Sequence, residues 1–139
     1  MTDCIFCKIV AGEIPSTRVF ENDTCLAFMD IGPISPGHTL LIPKNHYEAI
    51  HELPADEAAH VLRHVPALAR AVREAAGAEG LNVLQNNGAC AGQAVAHMHI
   101  HFIPRWPDDG LGYRWPAKKA DFALLAQQAE RIRALLKGE

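Results

Sequence analysis

His97-Met-His-Ile-His-Phe-Ile103 decides the fold: three histidines at two-residue spacing, with a large apolar side chain at each position between them. A β-strand sends alternate side chains to opposite faces, so the pattern predicts a strand over 97–103 with Met98, Ile100 and Phe102 turned to a core. His97, His99 and His101 are then held in a row at the surface of a sheet.

Other strands are readable on either side. Residues 16–20 and 25–29 alternate around a turn at 21–23, which is hairpin grammar, and residues 38–42 and 81–85 read as a third and fourth strand. A short helix is expected over 4–11, ended by Gly12 and Pro15. The principal helix follows Leu53-Pro-Ala-Asp-Glu57 and runs toward Gly77; Pro66 lies inside it and predicts a kink or two abutting helices. Phe122, Leu125, Ala129, Ile132 and Leu136 recur at helical spacing and predict a C-terminal helix. Hairpin spacing in the first strands argues for an α+β fold rather than alternating βαβ units. The chain shows no repeat or long linker, so residues 1–139 are expected to be one domain, with the tail and helix over about 104–137 included.

With 13 basic and 16 acidic residues the net charge is -3, which gives no broad attraction to nucleic acid or to an anionic membrane. A bound phosphate must therefore be held locally. The chain has no apolar run long enough to span a bilayer, and Met-Thr-Asp-Cys opens it without a basic or hydrophobic signal; a cytoplasmic protein is expected. Cys4 and Cys7 form a pair while Cys25 and Cys90 stand alone, unlike a disulfide framework.

Residues two apart on a strand are about 6.6 Å apart along its axis, close enough to serve one extended substrate. Neutral imidazole can attack phosphorus, ligate zinc or donate a hydrogen bond. His99, with a histidine on either side, is the natural nucleophile, and His101 can meet a phosphoryl oxygen or the bridge to the leaving group. Residues 86–94, Asn-Asn-Gly-Ala-Cys-Ala-Gly-Gln-Ala, supply glycines that let the backbone approach a ligand, and amides and N–H groups for phosphate oxygens. Cys4-Ile-Phe-Cys7 permits redox, metal or purely structural readings; too few residues precede it for the strand that a thioredoxin-like pair needs. A structural zinc site needs two more ligands, and His46 and His97 are candidates at the ends of their strands.

Cys4-Ile-Phe-Cys-Lys-Ile-Val-Ala-Gly-Glu-Ile-Pro-Ser16, Cys25-Leu-Ala-Phe-Met-Asp-Ile31, Pro36-Gly-His-Thr-Leu-Leu-Ile-Pro-Lys-Asn-His46 and Gly92-Gln-Ala-Val-Ala-His-Met-His-Ile-His-Phe-Ile103, in this order, resemble the histidine triad family of nucleotide hydrolases and transferases. The resemblance implies a five-stranded antiparallel sheet in each subunit and a homodimer whose two sheets form one of ten strands. It implies nucleotide bound with its α-phosphate at the triad and a nucleotidylated His99, which water resolves to a nucleoside monophosphate. By the same resemblance Asp30 meets the ribose hydroxyls, His38 borders the nucleotide, Asn86 contacts phosphate, Gln93 and the Ala94 N–H lie near the α-phosphate, and His101 assists there. Cys4, Cys7, His46 and His97 resemble the structural zinc site of a bacterial-type branch, with no organic cofactor implied. Ala94 departs from the serine or threonine of many relatives, and Met29 from a histidine seen in some phosphoramidases.

The leading expectation is a zinc-containing dimeric hydrolase of purine nucleotide phosphoramidates or phosphoanhydrides. A dinucleoside polyphosphate hydrolase, a nucleotidyltransferase and a nucleotide-binding interaction module remain alternatives. His51, His60 and His64 read as ordinary surface or core histidines, and Cys25 and Cys90 as unpaired small residues. Arg105, Trp106, Arg114 and Trp115 are able to stack on a base or meet phosphate, or equally to cap another edge.

Overall fold

The computed structural model describes residues 3–112 and 116–138. Arg114 and Trp115 lie outside the described residues.

Five strands form one antiparallel sheet in the order β1-β2-β3-β5-β4: β1 (Arg18–Glu21), β2 (Cys25–Met29), β3 (Thr39–Pro43), β4 (Gly80–Gln85) and β5 (Ile100–Arg105). The β1–β2 turn closes on Asn22, whose Oδ1 accepts the N–H groups of Thr24 and Cys25, both at 2.9 Å. Such side-chain acceptance replaces the backbone partner a tight turn cannot offer.

The middle of the sheet is buried on both faces because β2 and β3, Thr39 apart, are apolar at successive rather than alternate positions. Cys25, Ala27, Leu41, Met98, Ile100 and Phe102 pack on one side against Val61 and Leu68. Those two come from α2 (Ala55–Leu62) and α3 (Val65–Ala76), the halves of the bent principal helix. Pro66 sits in the first turn of α3, where its missing N–H costs no helical bond, and Gly77 ends α3 at φ 62°. Leu26, Phe28, Leu40 and Ile42 point to the other face and meet Phe6 and Ile9 of α1 (Ile5–Val10).

Two expectations need correction. Strand β5 starts at Ile100, not at His97: Met98 N–H bonds to Tyr47 O at 2.7 Å, outside the sheet ladder, so His97, at the end of a bend, and His99 lie on the lead-in to the strand. The alternation still sorts the side chains as expected, with Met98, Ile100 and Phe102 in the core. His97 and His99, however, are covered rather than exposed on that face. Helix α1 covers that face, leaving His97 fully buried and His99 only 4% exposed. The C-terminal helix α4 (Phe122–Leu136) forms as expected, capped by Asp121, yet Phe122, Ile132, Leu135 and Leu136 all stay exposed.

Candidate active site and metal cluster

Strand register assembles the imidazoles. Leu40 of β3 pairs with His101 of β5, so His38, two residues before Leu40, falls diagonally beside His101 on the same face. Their hydrogen bonds fix every proton. The Ile34 N–H donates to His38 Nδ1 at 3.2 Å, which leaves the His38 proton on Nε2, 2.9 Å from His101 Nδ1. His101 therefore accepts on Nδ1 and carries its own proton on Nε2. Burial, reinforced by His99 and His38 nearby, holds the pKa of His101 down to about 4, so it is a neutral donor at neutral pH. Burial likewise lowers the pKa of His38, against the pull of Asp30, whose Oδ2 lies 3.4 Å from His38 Nε2.

His99 is set by its own backbone. Its Nδ1 lies 2.7 Å from the carbonyl of His97, and a carbonyl only accepts, so Nδ1 holds the proton and Nε2 the lone pair. Phe6 meets the ring edge-on at 5.1 Å, and the ring of His101 is 4.8 Å away. Both histidines open onto a cleft of about 510 Å³, with Asp30 on its wall. Asp30 Oδ1 accepts the Gly32 N–H at 2.8 Å. Ile5, Phe6, Ile14, Phe28, Ile31 and Leu40 make the rest of the cleft apolar. Sequence reading did not single these residues out; the signal was the apolar run of α1 beside Ile31, which is 99% exposed.

The glycine loop leads into the cleft wall at Ala94 and Val95. Gly88 and Gly92 adopt φ of 90° and 92°, a conformation other residues rarely enter, and bracket a 3-10 turn at Ala89–Ala91. Gln93 does not face a ligand with its side chain. Its Nε2 donates to Glu48 O at 2.7 Å and Val95 O at 2.9 Å, and its Oε1 accepts the Gly88 N–H at 2.7 Å. Gln93 thus holds the loop in shape. The Ala94 N–H finds no acceptor among the described residues, and the Asn86 amide lies beside Gly92.

Cys4, Cys7, His46 and His97 converge with their ligand atoms all within 4.8 Å of one another. Tetrahedral zinc, with S at about 2.3 Å and N at about 2.05 Å, sets S···N edges of roughly 3.5 Å and N···N edges of roughly 3.3 Å. The observed separations are 3.4 Å for Cys4 Sγ to His97 Nδ1, 3.4 Å for Cys7 Sγ to His46 Nδ1 and 3.2 Å between the two Nδ1 atoms. His97 Nε2 donates to Pro43 O at 2.9 Å, which turns the Nδ1 lone pair into the cluster. Burial, with Cys4 beside it, raises the Cys7 thiol pKa, and a cation is what would hold it as thiolate.

Arg105 and Trp106 are committed elsewhere: Arg105 pairs with Asp109 at 2.6 Å and Asn82 at 2.7 Å, and Trp106 Nε1 donates to Gly77 O at 3.1 Å. His64 bonds to Asn22 at 3.1 Å, as an ordinary satisfied histidine would, and His60 is exposed. No helix among the described residues is long and apolar enough to cross a membrane.

The profile of the HIT domain matches residues 11–108. The chain belongs to the HIT family. Adenosine 5'-monophosphoramidase HNT1 of Candida albicans is 42% identical to this HIT protein over 135 residues, 94% of this chain and 89% of that one. The crystal structure of a Streptococcus mutans UA159 protein superposes with a TM-score of 0.93 at 44% identity, covering 98% of this chain and 87% of that one. A Zn-bound histidine triad family protein of Mycobacterium smegmatis superposes with a TM-score of 0.74 at 35% identity, covering 94% of this HIT protein and 98% of that chain. Cys4 and Cys7 precede the matched segment, so the Cys/His cluster joins a lead-in helix to the domain's own His46 and His97.

Proposed function

We propose that this HIT protein hydrolyses purine nucleotide conjugates, phosphoramidates or related phosphoanhydrides, at the α-phosphorus through a nucleotidyl-histidine intermediate. One observation carries the reading: the His99 Nδ1–H bond to the His97 carbonyl, 2.7 Å long, which leaves a free Nε2 lone pair on a cleft shaped for a nucleotide. The base lies among Ile5, Phe6, Ile14 and Phe28, Asp30 takes the ribose hydroxyls and the Ala94 N–H meets a nonbridging oxygen, with the Asn86 amide, beside Gly92 in the adjoining loop, assigned to phosphate as well. His99 Nε2 bonds to phosphorus as the bond to the leaving group breaks. His101 Nε2–H donates a hydrogen bond to the departing atom, which leaves with a proton from solvent, and the His97 carbonyl stabilises the positive ring formed on His99. Water then attacks phosphorus, the P–Nε2 bond breaks, nucleoside monophosphate leaves, and the proton of the attacking water passes to solvent. HNT1 of Candida albicans, named a monophosphoramidase, supports this substrate class.

We assign structural zinc, and no organic cofactor, to Cys4, Cys7, His46 and His97, on the edge lengths above and the Zn-bound relative. Zinc there pins the start of α1 over the triad. The working unit is a homodimer with one ten-stranded sheet, each chain a single domain: β4 is a free sheet edge with Val83 exposed, and α4 offers an uncovered apolar face. Four unpaired cysteines suit the reducing cytoplasm. Adenosine 5'-phosphoramidate turnover by wild type and by His99→Ala tests the reading. His99→Ala should bind adenosine monophosphate and turn over nothing; retained turnover contradicts the assignment.

A further inference from the structure

Cys4 is the N-cap of α1 and Cys7 follows in its first turn, with the Cys7 N–H donating to Cys4 Sγ at 3.4 Å. Both are half-buried free thiols whose sulfur atoms lie within 4.8 Å of each other, whereas Cys25 is sealed in the core. Turning the two side chains together is enough to bring the sulfurs to the bond length of a disulfide, about 2.05 Å. What this pair holds down is the cover of the reaction site. Phe6, between the two cysteines, is buried edge-on against His97 at 5.8 Å and His99 at 5.1 Å. Ile5, Phe6 and Ile9 of the same helix line the nucleotide cleft. His97 faces both ways, its Nδ1 3.4 Å from Cys4 Sγ and its carbonyl 2.7 Å from His99 Nδ1. With only six residues, α1 is too short to hold its place by helix formation alone.

We infer that Cys4 and Cys7 form a thiol–disulfide switch that couples the redox state of the surroundings to the nucleotide cleft. The inference rests on the hydrolysis and the structural zinc proposed above, and adds a way to turn the site off. The oxidant is a small-molecule disulfide. The Cys4 thiolate bonds to one of its sulfurs and expels the other as a thiolate; the Cys7 thiolate then bonds to Cys4 Sγ and expels the second. Two electrons pass from the cysteines to the oxidant, and nothing else is consumed. The new bond takes both sulfurs out of the cluster and leaves His46 and His97, half of a tetrahedral set. Helix α1 thereby loses its tie to the end of β3 and to the histidine segment, and Phe6 no longer fixes the ring of His99.

The test equilibrates zinc-loaded wild type with glutathione buffers of rising glutathione disulfide content. It reads the free thiols by alkylation and mass mapping, zinc released to a chromogenic chelator, affinity for adenosine monophosphate by calorimetry, and kcat for adenosine 5'-phosphoramidate. Cys4 and Cys7 should become joined while Cys25 stays reduced, with one zinc per chain released in parallel. Affinity should weaken and kcat should fall on the order of a hundredfold, the loss that about 1 Å of misplacement brings. Dithiothreitol with zinc should restore all four readings, and Cys4→Ala/Cys7→Ala should not respond to the oxidant whatever its own activity. Zinc and both thiols retained in glutathione disulfide alone, or a Cys4–Cys7 bond that leaves affinity and kcat unchanged, overturns the switch and leaves the hydrolysis standing. Reduced protein that carries no zinc overturns the switch as well. Zinc-loaded protein that binds the nucleotide and turns over nothing overturns the hydrolysis alone, and the change in affinity on oxidation then decides the switch.

Discussion

Removing the imidazole of His38 should slow the loss of amine leaving groups while sparing leaving groups that need no proton. His38 is 3% exposed and touches no leaving group; it acts by donating its Nε2–H to His101 Nδ1 at 2.9 Å. In His38→Leu that acceptor is left without its partner, and the His101 proton is no longer confined to Nε2. An unmade hydrogen bond at a buried site costs about 1–3 kcal/mol, which is about 5- to 160-fold in rate when the bond matters most in the transition state. The assay is kcat for an adenosine 5'-phosphoramidate beside kcat for the p-nitrophenyl ester of adenosine monophosphate. Only the first should fall by that factor, with KM little changed, and His38→Gln, which keeps an N–H donor, should recover part of it. Equal losses on both substrates, or none on the amine, would refute the proton assignment through His38 and His101.

Stability should fall as pH drops, because the unfolded chain protonates His101 through the ordinary 6.5 while the folded chain resists until about 4. The contribution is level above about pH 6.5 and is lost between there and about 4; the full shift corresponds to about 3 kcal/mol, reduced to about 1–2 kcal/mol by partial solvent access. Urea midpoints of wild type should drop between neutral pH and about pH 5, less so in His101→Gln, and parallel slopes would contradict this. Cys4→Ser and Cys7→Ser should each cost the protein its single zinc per chain by elemental analysis and lower Tm by about 5–10 °C. Freshly prepared reduced wild type without zinc would sink the metal assignment. Val83→Glu on the free β4 edge should halve the mass seen by light scattering, since it sets like charges across the proposed two-fold; a dimer of unchanged stability would place the interface elsewhere.

Periodicity was enough for the elements but not for what covers them. The runs at 25–29 and 81–85 form the strands expected, and Pro66 divides the long helix where the missing N–H is harmless. The expected strand at 97–103 begins three residues later because alternation reports which way side chains point, not which backbone groups are paired. Met98 takes its partner from Tyr47, a contact no local pattern encodes. The burial of His97 and His99 was hidden for a similar reason: Phe6, more than ninety positions earlier in the chain, lies over both rings. The roles of Gln93 and His38 depend on the same long-range closure. An amide in a glycine loop reads as a ligand contact until Glu48 and Val95 are seen to occupy it. His38 reads only as a histidine bordering the nucleotide until the pairing of Leu40 with His101 brings it against the third imidazole. The apolar face of α4 is plain in the sequence, and a single chain leaves it uncovered.

The most direct measurement is peptide mass spectrometry after rapid acid-free quench of the protein with adenosine 5'-phosphoramidate. An adenylyl group on the peptide carrying His99, mapped to that side chain and absent from His99→Ala, is the predicted result. An adenylyl group on another residue, or turnover with no covalent species at any time, would contradict nucleophilic attack by the central imidazole.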